Sequence, residues 1–194
     1  MAKSAADRHN PSDASFDAVL RLGDVTPQAP TNLSDHVYLG LRLNIEGDAL
    51  SELVFLTNPA PARAARAGVC GRRDPLLEEI GRQLRAWFAN TAYAFSLPLG
   101  QARTPFQQRL RTALCKTHSG ETFTYAELAK QLHSAPRAVG QALGSNNLPL
   151  IVPCHRVVSA GKNRLTGFNH TSTGIMLDLK AWLLERESAA NQHA

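Results

Sequence analysis

The chain has 194 residues, enough for one large domain or two small ones, and 43 % of them are hydrophobic. That fraction excludes global disorder and allows a buried core. No stretch approaches the roughly 18 consecutive apolar residues of a membrane-spanning helix, and the N-terminus lacks the apolar segment of a secretory signal. We therefore expect no membrane partner and a cytoplasmic location, or a nuclear one in a eukaryotic host. The net charge of +5 suits an anionic partner without identifying it.

The three cysteines, Cys70, Cys115 and Cys154, are an odd number and lie far apart. None belongs to a C-x-x-C pair, so the sequence predicts neither a disulfide framework nor a zinc site built from cysteines. No histidine spacing is typical of a metal site. We expect a protein without metal or cofactor, in a reducing compartment.

The N-terminal part predicts a tail followed by a small α/β domain. Residues 1–34 are rich in Ala, Ser, Asp, Asn and Pro, and indicate a flexible tail with at most one short strand around residues 16–22. Apolar residues then alternate with other residues along one segment, and a second segment, over residues 50–56, follows after a turn. Together the two segments predict a β-hairpin with one buried face. The first segment alternates at Val37, Leu39, Leu41, Leu43 and Ile45. We place this domain at residues 35–97.

An arginine-rich segment separates the hairpin from the first long helix. Residues 57–73 contain Arg63, Arg66, Arg72 and Arg73, and predict a solvated loop or short helix, or alternatively a DNA-contacting patch. Asp74-Pro75 then opens a helix, because proline is favoured at the first helical position. Its predicted buried stripe is Leu76, Ile80, Leu84, Trp87 and Phe88.

After a predicted linker at residues 98–102, the chain becomes mostly helical. Thr104-Pro105-Phe106-Gln107 resembles a capping box, and Thr124 with Glu127 repeats the pattern, so each predicts the start of a helix. Another short helix is predicted over residues 136–143. Two short helices joined by a tight turn indicate a helix-turn-helix.

The remainder of this second domain, placed at residues 103–188, completes the pattern. Residues 150–152 predict a buried extended run, and residues 159–167 a polar turn that could form a wing. An apolar stripe over residues 175–183 predicts a last helix that ends near Glu187, followed by a tail over residues 189–194.

The chemistry is concentrated in Pro153-Cys154-His155-Arg156-Val157. Cysteine is strongly nucleophilic, but only a few per cent of a free thiol is ionised near pH 7, so a nearby base or positive charge is needed. Adjacent side chains do not easily meet, and we therefore expect a water molecule rather than a direct hydrogen bond between Cys154 and His155. A carboxylate from elsewhere is expected to orient the imidazole.

The residues around this segment carry a resemblance. Pro153 to Val157, preceded by Arg137-Ala138-Val139-Gly140-Gln141-Ala142 and Asn146, closely resembles the O6-alkylguanine-DNA alkyltransferases (methylated-DNA–protein-cysteine methyltransferases). The match extends back to Thr104 and forward through Leu165-Thr166-Gly167-Phe168 to the last helix. The resemblance implies an α/β ribonuclease-H-like N-terminal domain and a winged helix-turn-helix C-terminal domain. It also implies double-stranded DNA with alkylated guanine as partner, bound by a monomer that could cluster on DNA.

The resemblance further implies a role for particular residues. Cys154 would accept the alkyl group once and irreversibly, Glu187 would orient His155, and Asn146 would hold the turn that carries the cysteine. Tyr125 would lie beside a flipped nucleotide, and Arg137 would fill the space that it leaves. Further DNA contacts would come from Thr124, Ala138, Gly140 and Arg156, and the substrate pocket would include Pro149, Val157, Phe168 and Asn169.

The sequence departs from the family pattern in places. Phe168 stands where tyrosine is common, and Asn169-His170-Thr171-Ser172 replaces a frequent glycine pair, which predicts a narrowed pocket and weak reaction with O6-benzylguanine. Arg111 occupies a position that is often tryptophan, and the zinc ligands of some relatives have no counterpart.

Three alternative functions remain open at this point. An alkyltransferase-like protein would bind the lesion without reacting, but such proteins lack the acceptor cysteine. A cysteine hydrolase would use Cys154, His155 and Glu187 with turnover, although no oxyanion-hole pattern is present. A winged-helix regulator would leave the Pro-Cys-His-Arg segment without a purpose.

Overall fold

The computed structural model describes residues 16–44, 47–57, 75–161, 165–168 and 173–191. Its N-terminal part contains a three-stranded antiparallel sheet of β1 (Ala18–Arg21), β2 (Val37–Leu43) and β3 (Leu50–Thr57), in that order. The predicted hairpin is confirmed, since the alternating residues that it rests on are buried: Val37, Leu39, Leu41 and Leu43. Ile45 and Glu46 lie outside the described residues.

A β-bulge interrupts this hairpin near its turn. Leu43 pairs with Leu50 and Arg42 pairs with Glu52, so Ser51 is the extra residue of β3. The Ser51 hydroxyl donates to the carbonyls of Arg42 and Leu43, both at 3.0 Å. A bulged residue leaves the regular ladder, and its backbone groups become available to other partners.

The short strand predicted around residues 16–22 is confirmed as β1, but the flexible tail predicted for the rest of this stretch, up to residue 34, is wrong. After β1, the chain forms α1 (Leu22–Val25) and α2 (Thr31–Ser34) before it enters β2. Leu22, Val25 and Leu33 are buried in the core. Elements of only four residues contain one or two apolar side chains each, so they produce no periodicity that a sequence pattern could reveal. Residues 1–15 lie outside the description.

Helix α3 (Pro75–Ala89) packs against this sheet region with the predicted stripe: Ile80, Leu84, Trp87 and Phe88 are buried, and Leu76 is half-buried. Of the arginine-rich segment at residues 57–73, the structure describes only Thr57, so its four arginines lie outside the described residues. A continuous hydrophobic core joins the two parts of the chain. Phe88 stacks on Trp182, and Phe55 packs against Phe168, each pair with ring centroids 5.8 Å apart.

The segment predicted as a linker is held against β3. The Leu50 N–H donates to the Pro98 carbonyl and the Gly100 N–H to the Leu50 carbonyl, both at 2.9 Å. Gly100 approaches so closely that a Cβ there would lie 3.3 Å from the Ser51 Cα. The segment therefore extends the sheet edge rather than hanging free.

The C-terminal part is built mainly from helices. They are α4 (Pro105–Cys115), α5 (Tyr125–Gln131), α6 (Pro136–Gly144) and α7 (Ile175–Asn191), and the strands β4 (Phe123–Thr124) and β5 (Val157–Val158) form a two-stranded parallel sheet. Thr104 accepts from the Gln107 N–H at the start of α4. The capping box of Thr124 and Glu127 is confirmed in both directions at the start of α5. α5 packs against α6.

Two smaller predictions need correction. Residues 150–152 are buried as predicted, but they form a tight turn, in which Leu150 has φ 76° and the Val152 N–H donates to the Leu148 carbonyl. The last helix continues to Asn191, so the predicted tail at residues 189–194 begins too early. Within the described ranges, no helix is long and apolar enough to cross a membrane.

Candidate active site

Cys154 begins a short 3-10 helix, Cys154–Arg156, directly after the buried turn. Its N–H donates to the Val152 carbonyl at 2.7 Å, and its side chain is half-buried. The Asn146 amide donates to the same carbonyl at 3.1 Å, and its oxygen accepts from the Leu148 N–H at 3.2 Å. Asn146 thus closes the turn that presents the thiol.

His155 is fully buried and is held on one side only. Its Nε2 lies 2.9 Å from Glu187 Oε1, at a contact where neither side chain is exposed. Because a carboxylate can only accept, Nε2 carries the proton and Nδ1 is left with a free lone pair. Nδ1 is buried and has no hydrogen-bond partner among the residues that the structure describes. The Trp87 ring packs against the imidazole at a steep angle, with centroids 6.2 Å apart.

Arg156 completes the burial of Glu187. Its Nε and Nη2 donate to the Glu187 carboxylate at 2.8–3.1 Å, and its Nη1 donates to the Thr117 carbonyl and hydroxyl. The Gly120 N–H also donates to Glu187, at 3.2 Å. The prediction that Arg156 contacts DNA is therefore wrong: its side chain is 7 % exposed and is occupied inside the protein.

Burial and hydrogen bonding set the charges of this cluster. Burial raises the pKa of the Cys154 thiol, with partial opposition from the Asn146 hydrogen bond and the Lys180 charge. Burial lowers the pKa of His155, against the opposing influence of Glu187. Burial by itself would raise the pKa of Glu187, but hydrogen bonds from His155 and Arg156 outweigh that effect and lower the pKa to about 2. The resting site therefore holds a neutral thiol, a neutral imidazole and a carboxylate.

Lys180 is a site residue to which sequence reasoning gave no role. It is 1 % exposed, and its Nζ donates to the carbonyls of Val157, Thr166 and Gly167 at 2.8, 3.0 and 3.2 Å. Burial lowers its pKa to about 8, with the nearby Cys154 opposing that shift. The available signal was its spacing, since Lys180 follows Met176 by four residues on the buried face of α7.

The predicted pocket residues lie around this lysine. Val157 is fully buried, and its carbonyl accepts from Lys180. Pro149 is buried, and Phe168 is buried against Phe55. Asn169 lies outside the described residues.

The predicted DNA-facing residues lie at the starts of α5 and α6. Tyr125 is half-buried beneath both, with its ring 3.8 Å from the position of a Cβ on Gly140 and its hydroxyl 3.9 Å from a Cβ on Gly167. Burial raises the pKa of Tyr125, and a hydrogen bond with Thr166 opposes this. Arg137, the second residue of α6, is exposed and has no partner within the described ranges. Thr124 and Ala138 are half-exposed beside them.

Comparisons with known proteins place this chain in a family. A family model described as 6-O-methylguanine DNA methyltransferase, DNA binding domain, matches residues 105–189. A constitutive methylated-DNA–protein-cysteine methyltransferase of Bacillus subtilis is 45 % identical over 119 residues, covering 60 % of this chain and 68 % of that protein. A relative of the same name from Methanosarcina mazei is 37 % identical over 140 residues, covering 71 % and 84 %. The chain belongs to the methylated-DNA–protein-cysteine methyltransferase family.

Solved structures agree with this membership. The O6-methylguanine methyltransferase of Mycobacterium tuberculosis has a TM-score of 0.60 and 35 % identity, covering 79 % of this chain and 87 % of that one. The same organism's OGT in complex with DNA has a TM-score of 0.59 and 34 % identity, covering 79 % and 88 %. The structure is mixed α/β with small sheets, which agrees with the α/β class predicted from the sequence.

Proposed function

We propose that this methyltransferase repairs DNA by moving the alkyl group of O6-alkylguanine onto Cys154, once per molecule. The observation that carries the proposal is the geometry of His155, the residue next to Cys154: its Nε2 is bound to Glu187, and its buried Nδ1 has no partner among the residues described. Family membership supports the reaction class, and the DNA-bound relative supports DNA as the partner. O4-alkylthymine is the second substrate that we include.

The reaction is a displacement at the alkyl carbon. The thiol proton passes to His155 Nδ1 through one water molecule, and the sulfur forms a bond to the alkyl carbon as the carbon–O6 bond breaks. The electron pair of that bond stays with the guanine, which regains its normal form when it takes up a proton. Its raised pKa keeps the Tyr125 phenol protonated, so the phenol can donate a hydrogen bond to the departing base. Glu187 stabilises the imidazolium, and Arg156 keeps Glu187 ionised.

The product explains why each molecule reacts once. A thioether on Cys154 offers no good leaving group, so the alkyl group stays on the sulfur. Asn146 serves here by holding the turn of Cys154, through its bond to the Val152 carbonyl.

The target base must leave the duplex before it can reach Cys154. Extrusion costs a few kcal/mol, and a side chain that enters the gap offsets part of that cost. The exposed, unpartnered Arg137 fits this role, and Thr124, Ala138 and Gly140 lie where the backbone of the DNA would pass. We assign α5 and α6 to a winged helix-turn-helix, the N-terminal sheet to a ribonuclease-H-like domain, and the active form to a monomer.

The alkyl group would enter beside Pro149, Val157, Phe168 and Asn169. The side chains of Pro149, Val157 and Phe168 are apolar and buried, and apolar pockets discriminate between alkyl groups by about 1–3 kcal/mol per methylene.

A paired substitution tests the proposal. Duplex DNA with one O6-methylguanine is incubated with the wild type, with Cys154→Ser and with Cys115→Ser, and restored guanine is measured. Cys115 is the matched control because it is a free thiol on α4, exposed and without a base. We expect full repair by Cys115→Ser and none by Cys154→Ser. Repair by Cys154→Ser, or turnover beyond one guanine per molecule, would contradict the proposal.

A further inference from the structure

Asn147 attaches the turn that presents Cys154 to the N-terminal sheet. Its neighbour Asn146 faces the cysteine, whereas Asn147 faces β3. The two adjacent asparagines thus join the reaction centre to a structural element nearly one hundred positions earlier in the chain.

Asn147 is bound to β3 at two points. Its side-chain amide donates to the Ser51 carbonyl, and its own carbonyl accepts from the Leu53 N–H at 2.8 Å. Both partners are backbone groups of a strand that is buried and antiparallel to β2. Backbone partners in a packed sheet have little freedom to move, so they hold Asn147 more firmly than a surface side chain would.

The β-bulge makes this attachment possible. Ser51 is the extra residue of β3, and its hydroxyl is used to hold β2, which leaves its carbonyl for Asn147. Gly100 packs against Ser51 on the same edge, where its lack of a side chain permits the approach. Bulges that redirect a backbone group are common next to active sites.

The path from Asn147 to the thiol is short. Asn147 is bonded to Asn146 through one peptide bond, and Asn146 donates to the Val152 carbonyl, which also accepts from the Cys154 N–H. The Asn146 amide also lies near enough to the Cys154 thiol to lower its pKa, against the larger opposing effect of burial. Any rotation of the Asn146-Asn147 pair therefore changes the distance between an amide donor and the sulfur.

We propose that Asn147 is a positioning residue for alkyl transfer: its amide bond to the bulged Ser51 carbonyl fixes Asn146, and through Asn146 the reactive sulfur. This inference rests on the proposed transfer to Cys154. It assigns the N-terminal sheet a part in the reaction, although none of its residues touches the thiol.

The test compares Asn147→Ala with Asn44→Ala. Asn44 is the matched control because its side chain also ties the hairpin, through Asp48 and Ala49, but at the turn away from Cys154. Three quantities are measured for both variants: the thermal midpoint, the single-turnover repair rate of O6-methylguanine in duplex DNA, and the affinity for that DNA. Asn147→Ala should slow repair about tenfold with unchanged affinity, because small displacements of a reacting group are costly. Asn44→Ala should repair at the wild-type rate even where its thermal midpoint falls equally.

A pH profile separates positioning from mere stability. The rate of carbamidomethylation of Cys154 by iodoacetamide, followed by peptide mass, reports ionisation of the thiol without any DNA. The titratable groups around Cys154 are His155, Lys180 and Tyr125, and neither variant alters them. With Asn146 loosened, the profile of Asn147→Ala should move to higher pH by about half a unit or more, and that of Asn44→Ala should stay.

The outcomes are distinct. Equal profiles and equal repair rates for the two variants would overturn the role of Asn147 while wild-type repair still supported the proposed function. Absence of repair by the wild type would refute the proposed function, and the iodoacetamide profiles would still decide whether Asn147 positions the sulfur. If Asn147→Ala does not fold, Asn147→Ser carries the same test, since its shorter hydroxyl cannot reach Ser51.

Discussion

The reaction centre and the proposed DNA-facing surface of this methyltransferase are organised in opposite ways. His155, Glu187 and Arg156 are buried and joined by hydrogen bonds of 2.8–3.1 Å. Arg137 is exposed and has no partner among the described residues. The difference teaches that the chemistry is assembled before any lesion is bound, whereas the side chain that we expect to enter the duplex acquires its contacts only from DNA. Preassembly avoids reorganisation during the reaction.

The largest effect should follow removal of the charge at the centre. Glu187→Gln leaves Arg156 buried without its carboxylate, and breaking such a pair typically costs about 3–5 kcal/mol of unfolding free energy. It also removes the group that stabilises the His155 imidazolium, so repair should fall about a hundredfold or more. Chemical denaturation and single-turnover repair measure the two effects. Glu185→Gln, an exposed change on the same helix, is the control, and equal behaviour of the two would show that the centre is not preassembled.

The same cluster should make the protein sensitive to acid. Glu187 has a pKa of about 2 when folded and an ordinary value when unfolded, so its stabilisation is present above pH 4.5 and is lost as the pH falls towards 2. His155 has a lowered pKa, so the unfolded state takes up its proton first and stability already declines below pH 6.5. Glu187 alone predicts that the unfolding free energy falls by about 2 kcal/mol between pH 4.5 and pH 3, and His155 adds to this loss. Urea midpoints across this range check it, and Glu187→Gln should show a shallower decline.

The DNA-facing surface should respond differently. Arg137→Ala should slow repair in duplex DNA by about tenfold to a hundredfold, because the gap left by the flipped base is no longer filled. Its stability and its reaction with free O6-methylguanine should stay unchanged. Arg109→Ala, which removes another exposed arginine, serves as the control. Equal losses on duplex and free base would mean that Arg137 supports the thiol rather than the DNA.

The smallest expected effect lies at the start of α5. Thr124 caps that helix and presents Tyr125, so Thr124→Ala should lower the unfolding free energy by about 1 kcal/mol. Repair should fall less than after Arg137→Ala. Thr112→Ala, in the middle of α4, should lower the unfolding free energy by less. Chemical denaturation of the two variants measures the difference, and equal losses would contradict the capping role of Thr124.

Local patterns predicted a good part of this structure. Alternating residues identified β2 and β3, and Thr124 with Glu127 identified the start of α5, because each signal lies within a few neighbouring residues. Short elements such as α1 and α2 escaped, since one or two buried residues do not make a period.

The candidate site was predictable to a different extent. The resemblance around Cys154 indicated the residues but not their surroundings. The DNA contact of Arg156 was expected from the resemblance alone, and no local pattern could show its buried partner Glu187, which lies 31 positions away. The buried contacts of Lys180 and Asn147 depend on tertiary packing, which no local pattern contains.

The central claim is that Cys154 accepts the alkyl group, and one measurement tests it most directly. The wild-type protein is incubated with excess duplex DNA containing O6-methylguanine, and its intact mass and peptide masses are recorded over time. We expect each molecule to gain one methyl group in place of one hydrogen, on the peptide with Cys154, and repair then to stop. A methyl group on Cys115 or Cys70, or continued repair by protein of unchanged mass, would contradict it.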